Sequence, residues 1–242
     1  MYFQKEKTIM KKRFLSFLIA LIMVIGLVPG FAVSASARVL DDTVKIGNVI
    51  LCEGEYLASG ETVTTDIKPD GGYAYYNDGV LTLNNFSYNG PGYPHKYYDY
   101  YTSAIYFDGN LDILLVGENS LTATESTDGG IHAQGNIEIS GDGSLEINSS
   151  EIAIFAIDSD ITISDSTLDI YSSGFGISAD YDINISGADI TVVSDTDTAI
   201  SVTSGSITIS DSFVNIDSGD DGIYAPYDTV NISGSTVEII AD

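Results

Sequence analysis

The apolar positions of this chain recur at a fixed interval. Ile105, Ile131, Ile154, Ile177, Ile200 and Ile223 are separated by 26 residues once and by 23 residues four times. Each sits in a similar phrase, from Gly129-Gly130-Ile131-His132-Ala133 to Asp221-Gly222-Ile223-Tyr224-Ala225. Two apolar pairs follow in every repeat. The first set is Ile137/Ile139, Ile161/Ile163, Ile183/Ile185, Ile207/Ile209 and Val230/Ile232; the second is Leu145/Ile147, Leu168/Ile170, Ile190/Val192, Val214/Ile216 and Val237/Ile239. Spacing of two with a polar residue between predicts a strand with one buried face. A helix would need apolar residues three and four apart, and these repeats lack them. Turn formers such as Ser164-Asp165-Ser166 and Ser186-Gly187-Ala188 separate the pairs.

Each repeat is therefore three short strands joined by three turns, and a period in the twenties marks a solenoid. The predicted fold is all-β, a parallel β-helix of about 23 residues and three strands per coil. Its coils would stack about 4.8 Å apart, the spacing of hydrogen-bonded strands. A leucine-rich repeat would show Leu-x-x-Leu-x-Leu, and a β-sandwich would not hold a constant interval. One coil alone buries too few side chains to offset the ordering of its backbone, so stability must come from stacking.

The two ends break the pattern. Lys11-Lys12-Arg13, the apolar run Phe14–Val28 and Ala35-Ser36-Ala37 form the three parts of a secretory signal peptide over residues 1–37, with Met10 as the natural start. The apolar run is shorter than the roughly 20 residues that span a bilayer. Residues 38–87, with apolar runs at 44–51 and 79–85, are expected to cap the solenoid and begin its first coil. Residues 88–102 read as a tyrosine-rich loop, and 103–242 as regular coils. The last coil stops in mid-pattern, so the expectation is that the natural chain continues beyond residue 242, with possible further domains there.

Composition narrows the partners. Residues 38–242 keep 34 of the 35 acidic residues and only four of the nine basic ones, a net charge of −30. No Lys or Arg follows Lys96. Such a surface repels nucleic acid and anionic membranes. Cys52 is the only cysteine, so no intramolecular disulfide forms. A secreted chain without disulfides or tryptophan suits a bacterial surface protein.

Four segments carry a resemblance. They are Asp78-Gly79-Val80-Leu81-Thr82-Leu83-Asn84-Asn85-Phe86, the stretch 103–113, Val116-Gly117-Glu118-Asn119-Ser120-Leu121, and the stretch 129–145. Together they resemble a family of secreted Firmicutes proteins described as carbohydrate-binding domain-containing, over about residues 44–242. The family is related to clostridial pectin-binding β-helix proteins. The resemblance implies a right-handed parallel β-helix exported to the cell surface or cell wall. It further implies binding of acidic polysaccharide and calcium without catalysis.

Two sets of residues could carry chemistry. Asp197, Asp220 and Asp221 precede consecutive repeat isoleucines. Carboxylates one rung apart repel, and a hard divalent cation such as Ca²⁺ relieves that repulsion. A solvated Asp-Gly turn explains the same residues. An enzymatic reading pairs Asp195 and Asp197 with Asp220 and Asp221 as acid and base for glycoside cleavage. It lacks the histidine and basic residues on later coils that pectin-hydrolysing β-helices use. The second set is Tyr93, Tyr97, Tyr98, Tyr100 and Tyr101, whose rings could stack on sugar faces. A hydrophobic flap over the first coil is the alternative. The functional expectation is a non-catalytic, extracellular polysaccharide-binding protein, with a structural stalk or adhesin spacer as the rival.

Overall fold

The computed structural model describes residues 43–95, 101–125 and 128–241. Residues 1–37, expected to be a signal peptide, and the tyrosines at 97, 98 and 100 lie outside the described residues. Every regular element described is a strand. Three sheets run the length of the repeats, and strands from successive coils pair parallel within each. The first sheet stacks Thr102–Phe107, Asp128–Ala133, Ile154–Ala156, Ile177–Ala179, Ile200–Val202 and Ile223–Tyr224. The second runs from Val80–Asn84 through Leu111–Val116 and Ile137–Ser140 to Val230–Ser233. The third runs from Ser87–Gly90 through Glu118–Ala123 and Ser144–Ser149 to Thr236–Ala241. This is the parallel β-solenoid that the spacing predicts.

The register turns the sequence pattern into columns. Ile105, Ile131, Ile154, Ile177, Ile200 and Ile223 pair in one line. The two apolar pairs of each repeat line up in the second and third sheets in the same way. These side chains point inward and are almost wholly buried, Ile185 to 1% and Ile163 to 0% exposure. In the last described rung Val230, Ile232 and Ile239 are 43%, 49% and 47% exposed.

Turns and outer edges are held by their own columns. The corner after the second sheet requires a left-handed backbone, with φ of 49° at Asp165, 61° at Gly187, 49° at Asp211 and 61° at Gly234. Asp and Gly tolerate this conformation best. They alternate for a steric reason: a Cβ on Gly187 would lie 2.5 Å from Asp165 Oδ1, and one on Gly234 2.3 Å from Asp211 Oδ1. A second ladder precedes the second sheet. Asn110, Asn136, Asp160 and Asp182 each accept, through Oδ1, a hydrogen bond from the backbone N–H of the equivalent residue one coil on, at 2.8–3.2 Å. This ladder gives backbone N–H groups at the entry to the sheet their partners.

The opening of the solenoid is built differently. Val44–Ile46 and Val49–Leu51 form a hairpin that pairs antiparallel with Thr102–Phe107. Glu55–Ala58 and Tyr73–Asn77 extend the second sheet in antiparallel fashion from Val80–Asn84. Antiparallel strands laid on the first edge of a parallel stack cover N–H and C=O groups that would otherwise template further pairing. The segment expected to be loop from residue 88 starts instead as a strand, Ser87–Gly90, the first rung of the third sheet. Tyr93–Pro94 then pairs antiparallel with Ser103 and Thr102.

Candidate functional site

In the first sheet the residue after each repeat isoleucine points away from the core. That outer column reads Tyr106, His132, Phe155, Ser178, Ser201 and Tyr224. Outward residues of a solenoid ordinarily meet water, as Tyr224 does at 46% exposure. Tyr106 and His132 do not; they are 1% and 2% exposed. Residues Tyr93 to His95 fold back over them. The short strand Tyr93–Pro94 holds Tyr93 and His95 against Tyr106, with ring centres 5.9 and 4.9 Å away. Tyr93 and His95 thus cover part of the outer column; of the tyrosines expected to form a flap over the first coil, only Tyr101 is among the described residues.

The cover does not close the column completely. A cavity of about 200 Å³ remains, lined by His95, Tyr101, His132, Ile152, Phe155 and Ile157. Tyr101 stands at its rim, 41% exposed. Phe155 meets the His132 ring edge to face, with centres 5.4 Å apart. The walls thus offer aromatic surface for stacking, aliphatic surface, and two imidazoles as polar groups. Apolar walls with a few convergent polar atoms are the usual make-up of a small-ligand site.

The two imidazoles are the only histidines in the chain, and the fold brings them together. His132 Nδ1 lies 3.1 Å from His95 Nε2, and that same His95 nitrogen lies 2.5 Å from Ser103 Oγ. Burial lowers the His95 pKa to about 4. His132 is lowered well below the usual range, by burial first and then by its histidine neighbour. The Ile152 carbonyl works weakly in the opposite direction. His132 Nε2 makes no hydrogen bond of ordinary distance and angle. Both rings are neutral at neutral pH.

Of the five tyrosines expected to bind sugar, Tyr93 and Tyr101 are among the described residues. Tyr101 lines the cavity. Tyr93 is half-buried and stacked on Tyr106. The others, at 97, 98 and 100, lie outside the described residues. The histidines were not read as a site from the sequence. The available signal was the outer column itself, where three large rings follow consecutive repeat isoleucines before serines replace them.

The acidic residues stand on another edge. Asp220 and Asp221 are exposed and Asp197 is half-buried. Their turns are fixed by buried serines: Ser194 Oγ donates to the Asp197 carbonyl at 2.7 Å, and Ser218 Oγ to those of Asp220 and Asp221 at 2.8 and 3.0 Å. The turns are not identical. From serine to repeat isoleucine is six residues in one coil (Ser194 to Ile200) and five in the next (Ser218 to Ile223). Asp197 and Asp220 still occupy the same place relative to the paired isoleucines Ile200 and Ile223. Among the described residues no three His, Cys, Asp or Glu side chains gather around one point. A Ca²⁺ ion here would draw on exposed carboxylates and on water. Nearby, Asn148, Tyr171, Val193 and Asp195 line a shallow depression of about 270 Å³, with Tyr171 44% exposed.

A parallel β-solenoid that displays aromatic rings and acceptor side chains on its outer faces belongs to the class of repeat scaffolds that present extended binding surfaces. Residues 43–242 match the family described as carbohydrate-binding domain-containing protein, and the chain belongs to that family. No curated protein matches the chain, and no solved structure does.

Proposed function

We propose that this protein is a non-catalytic polysaccharide-binding β-solenoid that works outside the cell after removal of residues 1–37. The observation that carries the reading is the cavity beneath the tyrosine-rich segment. Tyr101 and Phe155 supply ring faces there, and two neutral imidazoles supply hydrogen-bonding groups. A sugar has an apolar face and a rim of hydroxyls, and these walls complement both. Membership of the carbohydrate-binding domain-containing family supports the same ligand class.

Acidic, pectin-type polysaccharide is the finer part of the proposal. A polyanion meets a chain with net charge −30 over residues 38–242 and no Lys or Arg after Lys96. It would be repelled unless a cation intervenes. Ca²⁺ at Asp197, Asp220 and Asp221 supplies that bridge, and the Tyr171 depression beside Asp195 supplies an adjacent stacking surface. The test is a glycan array probed with the secreted chain, with and without Ca²⁺ at matched ionic strength. Binding to a defined set of glycans, weakened in Tyr101→Ala, is the expected result. Calcium should enhance binding only for uronate-rich glycans. No glycan bound in either condition would overturn the reading and leave a spacer; product release from polygalacturonate would replace it with an enzyme.

A further inference from the structure

We infer that His95 and His132 form a binding site for a divalent transition-metal ion of the Zn²⁺, Ni²⁺ or Cu²⁺ type. The site is distinct from the acidic turns and does not depend on the glycan reading. Two imidazole nitrogens that each bind one ion at roughly 2.0–2.1 Å stand about 3 Å apart. His95 Nε2 and His132 Nδ1 stand 3.1 Å apart. The rings are tilted by 57° with centres 4.6 Å apart. Rings meeting nose to nose would hold their centres further apart, so the two nitrogens converge on common space at an angle.

The use of His132 argues the same way. A buried structural histidine normally satisfies both ring nitrogens. Here Nε2 has no partner, although the residue is 2% exposed. Gly129 leaves the room that this placement needs, since a Cβ there would lie 2.9 Å from His132 Nε2 and 2.7 Å from the Ile152 carbonyl oxygen. That carbonyl is the neighbour toward which Nε2–H would turn once Nδ1 is committed to a metal, the usual outer-shell arrangement of a ligating histidine. Ser103 Oγ, 2.5 Å from His95 Nε2, holds the other ring. It would release that nitrogen and hydrogen-bond a metal-bound water instead.

The donor set selects the ion. Imidazole suits Zn²⁺, Cu²⁺ and Ni²⁺, whereas Ca²⁺ and Mg²⁺ take oxygen ligands. Among the described residues no Asp, Glu or Cys completes a three-ligand cluster with the pair. The remaining coordination positions face the cavity and would be taken by water or by hydroxyls of a bound molecule. A site with open positions exchanges its ion readily.

The experiment is a titration of the untagged, chelator-treated chain with Zn²⁺, with Ca²⁺ as control. Copper loading followed by electron paramagnetic resonance supplies an independent readout. The expected result is one saturable Zn²⁺ per chain that excess Ca²⁺ does not displace, with a copper spectrum split by two nitrogens. Affinity should fall at least tenfold in His95→Ala. His132→Ala should do the same, and melting curves show whether it folds. His95 lies outside the regular coils, so His95→Ala decides the matter if the other variant does not fold. No saturable Zn²⁺ in the wild type, binding unchanged in His95→Ala, or a copper spectrum without nitrogen splitting would each overturn the inference.

Discussion

The middle coils and the opening coil use the same backbone differently. In the coils from Ile137 to Ile216, each side chain repeats what its neighbour one rung away does. The isoleucine columns, the Asn/Asp ladder and the Asp/Gly corner recur with little variation. Such a stretch is stabilised by nearest-neighbour terms, and no position in it is unique. The opening coil has antiparallel closing strands, a covering segment, and the outward rings Tyr106 and His132 buried beneath it. Repetition builds the scaffold; the break in repetition builds the pocket. Chemistry that needs unlike groups side by side cannot arise where every rung is alike.

The largest test of this contrast lies in the middle. Ile185→Asp places an unpaired charge in a dry column that is closed above and below. The expected outcome is loss of the folded state, read by circular dichroism and by solubility. A soluble variant that melts cooperatively would overturn the inward orientation of the second sheet. Gly187→Ala should cost about 1–3 kcal/mol, from the left-handed backbone together with the clash on Asp165. Urea unfolding measures it. Adding Asp165→Ala should recover the clash part and leave the backbone part, which a double-mutant cycle separates.

Asp160→Ala removes one rung of the side-chain ladder and frees the Asp182 N–H, which it holds at 2.9 Å. The expected loss is about 0.5–1.5 kcal/mol, and Asp160→Asn should retain most of the stability. Equal losses in the two variants would show that the ladder works through charge and not through its hydrogen bond.

The pH response belongs to the opening coil. In the metal-free protein His95 titrates at about 4 in the fold, against about 6.5 in the unfolded chain. The unfolded state therefore binds more protons between those values, and this contribution to stability is lost as pH falls from about 6.5 toward 4. Protonation of the many carboxylates acts in the opposite sense at the lower end. The informative quantity is the difference between wild type and His95→Gln, melted from pH 7.5 to 4.5 with chelator present. The wild type should lose more stability than the variant across that window. Parallel curves would show that burial of His95 carries no linkage.

Tyr101→Ala should have the smallest effect on folding and a large one on binding. The ring is at the rim and 41% exposed, so a change in stability within about 0.5 kcal/mol is expected. Glycan binding should fall roughly tenfold, the worth of one lost stacking contact of about 1.4 kcal/mol. Unchanged binding would move the sugar site away from this cavity and toward the Tyr171 depression.

By itself the sequence determined the columns. Ile131, Ile185 and Leu168 fall into line because a strand has a period of two and a stack has a fixed rise, so one-dimensional spacing is enough to say what lies inside. The corner residues were legible as turn formers because Asp165 and Gly187 suit a left-handed backbone, whereas their alternation is set by the contact between coils. The ladder from Asn110 to Asp182 was written in the sequence as a polar residue before each first strand, but its hydrogen bonds run between coils. Tertiary structure alone decided the pocket. His95 and His132 are 37 residues apart and share no period. Their meeting depends on how a non-repeating segment folds over the outer column, where the pattern of twos marks Tyr106 and His132 only as facing away from the core. Periodicity reports which side of a strand a residue occupies. What covers that side is set by long-range packing, which leaves no periodic trace.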